Sequence, residues 1–204
     1  MPRVGLTRAS VTEAGAALVD EVGFSQLSMG LLADRLGVKT PSLYKHVANQ
    51  AELAHLIAVL AMNELADAIR DAIQGRAGRE ALIAGAEAMR AFMRDHAGRY
   101  TAGNAAQISG PDDPLLAASH RVMASWAAML HGYHLDRDQE IQALRMLRST
   151  LHGFGTLEIV NSFQVDQPVD DSFTWIVDFL DHGLRAVQDA SGSPGRPTSG
   201  TASP

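Results

Sequence analysis

Between residues 39 and 46 the chain gathers Lys39, Thr40, Ser42, Tyr44, Lys45 and His46, side chains suited to contact with a phosphate backbone. Hydroxyls donate to phosphate oxygens, and an ammonium offers a compact positive charge. A tyrosine can reach phosphate with its hydroxyl while its ring packs on sugar or on a thymine methyl. The chain has only two lysines, and both are here. Such a set works only if a short, rigid element presents it outward.

The flanking residues predict that element. Met29, Leu32, Ala33 and Leu36 repeat at the i, i+3, i+4, i+7 spacing of an amphipathic helix, and Ser28 precedes them as a cap. Gly37 tolerates positive φ at a helix end, Val38 is an apolar plug, and Thr40-Pro41 gives a hydroxyl cap followed by proline at the first helical position. Two short helices joined through a glycine turn form a helix-turn-helix, whose second helix enters the DNA major groove. On that second helix Leu43 and Val47 face inward. Ahead of the pair, Thr7 caps a first helix that lines Val11, Ala14, Leu18 and Val22 on one face and ends at Gly23. Phe24 and Leu27 follow as core residues of the connector. Arg3 and Arg8 are either solvated or a basic arm on phosphate.

From Leu6 to about Leu56 the sequence resembles the tetracycline-repressor (TetR) family of bacterial regulators. The wording that carries the resemblance is LTRASVTEAGAALVDEVGFSQLSM, LADRLGV and TPSLYKHV. It departs from the family pattern at Gly30-Leu31, where polar or basic residues are usual, and at Gln50, where many members carry a lysine that meets a phosphate. The resemblance implies that Lys39, Thr40, Pro41, Ser42, Tyr44, Lys45 and His46 contact a double-stranded operator. It also implies a homodimer, a small-molecule effector bound in the C-terminal body, and repression as the usual outcome.

Composition sets the frame for the rest. At 204 residues, with abundant alanine, leucine and methionine and few aromatics, the chain suits a helical protein with ample length for a core. The absence of cysteine excludes disulfides, thiolate metal sites and thiol nucleophiles, and makes a reducing cytoplasm the simplest compartment. No apolar run of about 18 residues predicts a membrane span. The formal charge of −6 divides unevenly: residues 1–50 hold five Lys/Arg against four Asp/Glu, so the acidic excess lies beyond the reader. A footprint of +1 is weak, and DNA affinity would rest on a few phosphate contacts doubled by dimerisation.

Further along, Asn49 with Glu52 reads as an amide version of the capping box, opening a long helix through Leu53, Leu56, Ile57, Leu60, Leu65, Ile69 and Ile73 to about Gln74. A helix from Ala77 to His96 is expected to be broken by Gly98. Tyr100 to Ser109 is ambiguous between loop and short helix. Asp113 with Pro114 starts another helix, which stops near Gly132, and Asp136 with Gln139 starts the next, running to about Val160. Gly153 and Gly155 within it suggest close approach by another helix. The last helix carries Phe173, Ile176, Val177, Leu180, Leu184 and Val187 near a seven-residue repeat, a stripe that needs a partner within the subunit or, as the resemblance implies, in a second copy. Residues 190–204 read as a disordered tail.

Met89, Phe92, Met93, His96, Tyr100, Met123, Trp126 and His152 are the residues that could line a small-molecule cavity: methionine adapts its shape, and Trp, Tyr and His supply polar points in an apolar wall. The competing reading is plain core. His131 and His134 flank a helix break without a fixed carboxylate and are expected to be surface or capping residues. The acidic pairs Asp112-Asp113 and Asp170-Asp171 read as helix caps, and no HExxH, GxSxG, GxxxxGK[ST] or GxGxxG occurs. No catalytic residue, metal or resident cofactor is therefore expected. The chain is read as all-α: a three-helix helix-turn-helix DNA-binding domain over 1–47, a helical bundle for ligand binding and dimerisation over 48–189 with 48–74 as linking helix, and the tail. The alternative is a helical ligand-binding or protein-interaction module that reads no DNA.

Overall fold

The computed structural model describes the backbone of residues 6–192 and the side chains of residues 6–189. Arg3 and the tail beyond Gly192 lie outside the described residues. The fold is all-α, with nine α-helices and no strand among the described residues. The first three are α1 (Arg8–Val22), α2 (Met29–Leu36) and α3 (Thr40–Leu43). The long α4 (Gln50–Ile73) leads into α5 (Gly78–Asp95), α6 (Ala97–Ala105), α7 (Pro114–Leu130), α8 (Arg137–Ile159) and α9 (Val169–Gly192).

Caps set most of the boundaries. Thr7 and Ser10 form a reciprocal capping box on α1, Ser28 accepts from the Leu31 N–H on α2, and Asn49 accepts from the Glu52 N–H on α4. Glu52 reaches back to the amide of Ala48 rather than of Asn49, so the expected box closes one residue early. Asp136 and Gln139 form the expected box on α8. Asp170 and Asp171 sit in the first turn of α9, where negative charge suits the helix N-terminus.

Two apolar clusters form. The first gathers Val11, Leu18 and Val19 of α1, Met29 and Leu32 of α2, Leu43 of α3, and Leu53 and Ile57 from the start of α4. Val22, expected on this face, is exposed because it occupies the last position of α1. The second is built on the remainder of α4, from Ala58 through Ile73, against α5, α7, α8 and α9. One helix thus serves both cores, and any tilt of α4 is felt in each.

Two expectations about the body are corrected, the break at Gly98 and the end of α9, and two open ones are resolved. Gly98 does not break the helix before it; the break is at His96, with φ −133° and ψ 45°, and Gly98 lies buried inside α6. A Cβ on Gly98 would lie 1.9 Å from the Val19 carbonyl oxygen, so glycine here permits backbone contact between α6 and α1. Of the two α8 glycines, Gly155 faces the Met93 thioether, whereas nothing approaches Gly153. Finally, Phe173, Val177, Leu180 and Leu184 of α9 are buried within the subunit, so the predicted stripe finds its partner in its own core. The face left open instead carries Trp175 and Phe179, each 65% exposed and stacked 5.4 Å apart. Helix α9 also runs through Gly192, three residues into the expected tail.

Helix α7 begins where Asp113 gathers four donors. Its carboxylate accepts from the backbone N–H of Ser109 and Leu115 at 2.8 Å and from the Ser109 hydroxyl, and lies 2.8 Å from His55 Nε2 on α4. These bonds, led by the Ser109 amide, hold the acid well below the usual carboxylate range. A depressed folded-state pKa adds stability that is complete above the unfolded value near about 4 and is lost as pH falls through the folded value. Asp113→Asn is therefore expected to cost stability at pH 6, and the gap between variant and wild type to narrow steadily below about pH 4. Urea denaturation at pH 6 and pH 3 measures it; a gap that is constant with pH would contradict this account.

Candidate DNA interface and body cavity

The reader is built upward from Ser28. Met29, Leu32 and Ala33 bury one face of α2, and Gly37 closes it in the left-handed region, φ 64° and ψ 33°, with its N–H on Ala33 and Asp34 carbonyls. Val38 is partly buried against the first cluster. The chain re-enters helix at Thr40, one residue earlier than expected: Lys39 occupies the cap position without a side-chain hydrogen bond, and the Thr40 hydroxyl is not the cap. The regular helix spans only four residues and continues as a turn to His46, whose N–H reaches the Leu43 carbonyl at 2.9 Å. Leu43 and Val47 are buried, as expected, and fix the orientation of everything between them.

Lys39, Pro41, Tyr44 and Lys45 are consequently exposed, while Thr40, Ser42 and His46 are half-buried along the same ridge. Electrostatics distinguish these lysines from the nearby arginines. Arg35 forms a two-pronged pair with Glu21 at 2.5 and 2.8 Å, and Arg8 pairs with Glu52 at the start of α4. Arg8 therefore braces α1 against α4 and is not a free arm. Neither Lys39 nor Lys45 has an ion-pair partner among the described residues. Among the described residues, two uncompensated ammonium groups thus bracket α3, with the exposed Tyr44 at its C-terminal end.

The ligand-lining residues expected from sequence divide in two. Met89, Tyr100, Met123 and Trp126 converge on one cavity of about 90 Å³ between α4, α5, α6, α7 and α8. His152 stands behind it, its Nδ1 2.8 Å from the Tyr100 hydroxyl. Phe92 and Met93 do not line it: both are core, with Met93 seated against Gly155. His96 also lies elsewhere, 3.2 Å from Asp20 on α1.

Sequence reasoning missed Met62, Leu65, Asn104, Ser119, Val122 and Arg148, which complete the cavity. Leu65 belongs to the expected apolar repeat of α4, Met62 is buried on the same helix, and Val122 of α7 packs partly buried against the body core. Nothing local could show that these helices leave a gap where they meet. Arg148 gave a fainter signal, an arginine on α8 beside Leu147 and one turn before Leu151 and His152.

A polar junction joins cavity and reader. Asp20 of α1 accepts from the Arg99 amide at 2.9 Å and from Arg99 Nε at 2.7 Å, and Arg99 reaches Glu64 of α4 at 2.7 Å. Arg99 and the cavity residues Tyr100 and Asn104 share α6. That short helix therefore touches the first cluster on one side and the cavity on the other. None of the helices is long and apolar enough to cross a membrane among the described residues.

Comparison with known proteins agrees with this geometry. Residues 11–57 match the family described as bacterial regulatory proteins, tetR family, and residues 82–180 match the tetracyclin repressor-like C-terminal domain. An uncharacterised HTH-type transcriptional regulator of Mycobacterium tuberculosis is 33% identical over 179 residues, covering 88% of this chain and 82% of its own. Among solved structures, a TetR variant from Acinetobacter baumannii in complex with minocycline superposes with a TM-score of 0.67 at 20% identity, covering 90% of this chain and 99% of that one. BioQ with its natural double-stranded DNA operator gives 0.61 at 22% identity, covering 89% and 99%. Family, relative and fold coincide with a helix-turn-helix that exposes its lysines: the chain is a transcriptional regulator, not an enzyme, and belongs to the TetR family.

Proposed function

We propose that the chain is a ligand-responsive repressor that binds a palindromic operator as a homodimer in the cytoplasm and is released by a small-molecule effector. In this reading residues 1–47 are the DNA-binding domain, 48–189 bind effector and partner copy, and Lys39, Thr40, Pro41, Ser42, Tyr44, Lys45 and His46 meet the duplex. The observation that carries it is the pair of lysines around Tyr44 that have no ion-pair partner among the described residues, in a segment whose described arginines are neutralised. BioQ, with the same fold, has been seen on its operator, and the minocycline complex shows a ligand held by a TetR variant. The dimer is supported by Trp175 and Phe179, large apolar side chains open on α9.

Release then requires two spacings of the recognition helices, one matching half-sites about 34 to 36 Å apart and one favoured by ligand. A ligand shifts that balance only by its differential affinity, and about 10⁴-fold preference moves the population from nearly all competent to nearly all released. Titrating operator with and without a ligand tests this; unchanged operator affinity rejects that ligand. A second expectation concerns Gln50, exposed at the first position of α4. Gln50→Lys adds one phosphate contact per subunit, so operator affinity should rise several-fold at physiological salt and the log–log salt slope steepen by about 1.8 for the dimer. Fluorescence anisotropy across a salt series reads both, and an unchanged slope would place residue 50 away from DNA.

A further inference from the structure

The body cavity is chemically one-sided. Among the ten residues lining it, Arg148 is the single charged group, and there is no Asp or Glu. Arg148 is exposed and has no hydrogen bond or ion pair among the described residues, whereas Arg90, Arg99 and Arg121 of the same body all hold carboxylates. The second observation comes from inside. Trp126 is 3% exposed and lines the cavity, and its Nε1–H is the one buried side-chain polar atom without a partner among the described residues. A buried donor left unmatched costs free energy that an incoming acceptor would recover.

The remaining polar groups add no competing negative charge. Asn104 spends an Nδ2–H on the Tyr100 carbonyl at 2.9 Å, and the Tyr100 hydroxyl is engaged with His152. Burial pushes the Tyr100 phenol up to about 12, so it stays neutral at physiological pH. The rest of the wall is apolar, and Met62, Met89 and Met123 supply thioether chains that repack readily. That matters because about 90 Å³ is well below the roughly 300 Å³ at the small end of ligand pockets, so an occupant must displace them.

We infer that this cavity takes an amphipathic monoanion, a carboxylate on an apolar body, with Arg148 as its counter-charge and Trp126 Nε1 as a hydrogen-bond donor. The inference rests on the reading of the body as an effector site and adds the ligand's class to it. The test is calorimetric titration of the full-length protein at pH 7 with octanoate, octan-1-ol and octylammonium, and with 1-naphthoate and 1-naphthylmethanol as an aromatic pair. At least one carboxylate should bind ten-fold or more tightly than its alcohol, and octylammonium least. Arg148→Gln, a change at an exposed residue with no partner to lose, should abolish the carboxylate's advantage and leave the alcohol's affinity as it was. Trp126→Phe should weaken the carboxylate several-fold in protein whose helical circular dichroism is unchanged. Tighter binding of an alcohol or of the ammonium, or an advantage that survives Arg148→Gln, would overturn the anion class and leave the effector reading standing. If none of the five probes binds at millimolar concentration, both the anion class and the placement of an effector in this cavity are overturned.

Discussion

Changing Lys39, Tyr44 and Lys45 together to alanine is expected to abolish specific operator binding, by 100-fold or more at physiological salt, while leaving a folded protein. The two lysines of each subunit become four in a dimer, and neutralising four phosphates contributes about 3.6 to the log–log salt slope; relative to 1 M salt, counterion release of that size is worth roughly 10³-fold in affinity at about 0.15 M. Tyr44, half exposed at the end of α3, adds contact to phosphate or base edge. None of the three supports the fold: the lysines are exposed and have no ion-pair partner among the described residues, and Leu43 and Val47 carry the packing. The thermal midpoint should therefore stay within about 2 °C, since exposed substitutions away from such packing change stability little. Retained operator affinity in the triple variant would show that residues other than Lys39, Tyr44 and Lys45 carry operator binding.

The second large effect is on stability. Gly98→Ala would place a methyl 1.9 Å from the Val19 carbonyl oxygen and 2.6 Å from the Asp20 amide nitrogen. Both are backbone atoms of α1, so no side chain can rotate aside; α6 and α1 must separate. Overpacking of this kind costs about 1 to 3 kcal/mol and more where backbone is the obstacle. Separation would also stretch the bonds from Arg99 to Asp20. We expect Gly98→Ala to lower stability by about 3 kcal/mol or more, read as a fall in urea midpoint. A midpoint equal to that of wild type would show that α6 does not pack on α1 as described.

The reader was legible because its signals are local. Ser28 and Gly37 each act within one turn of themselves, through a cap and a positive φ, and Leu43 and Val47 follow the helical spacing that turns them inward. Asp113 and Asp136 were readable for the same reason. What sequence misjudged depended on distant partners. Gly98 looks like a helix breaker because Val19 of α1, which needs it small, lies about 80 residues earlier. The apolar stripe of α9 called for a partner, but only the packed body shows that Phe173, Val177, Leu180 and Leu184 find it at home and that Trp175 and Phe179 do not.

The cavity sits between these cases. Tyr100, Trp126 and Met89 were identifiable as residue types that suit a ligand site. His96, equally suitable by type and spacing, is drawn instead to Asp20 at the junction with the reader. Arg148 could not be singled out from the other arginines by sequence, because its distinction is its place in the cavity wall, a property of the fold alone.

Selection of bound duplexes from a random DNA library, by purified protein at near-physiological salt, tests the central claim most directly. The expected result is enrichment of one two-fold symmetric site whose half-sites fall about one helical turn, or a multiple of it, apart. Failure of folded protein to enrich any sequence would contradict it.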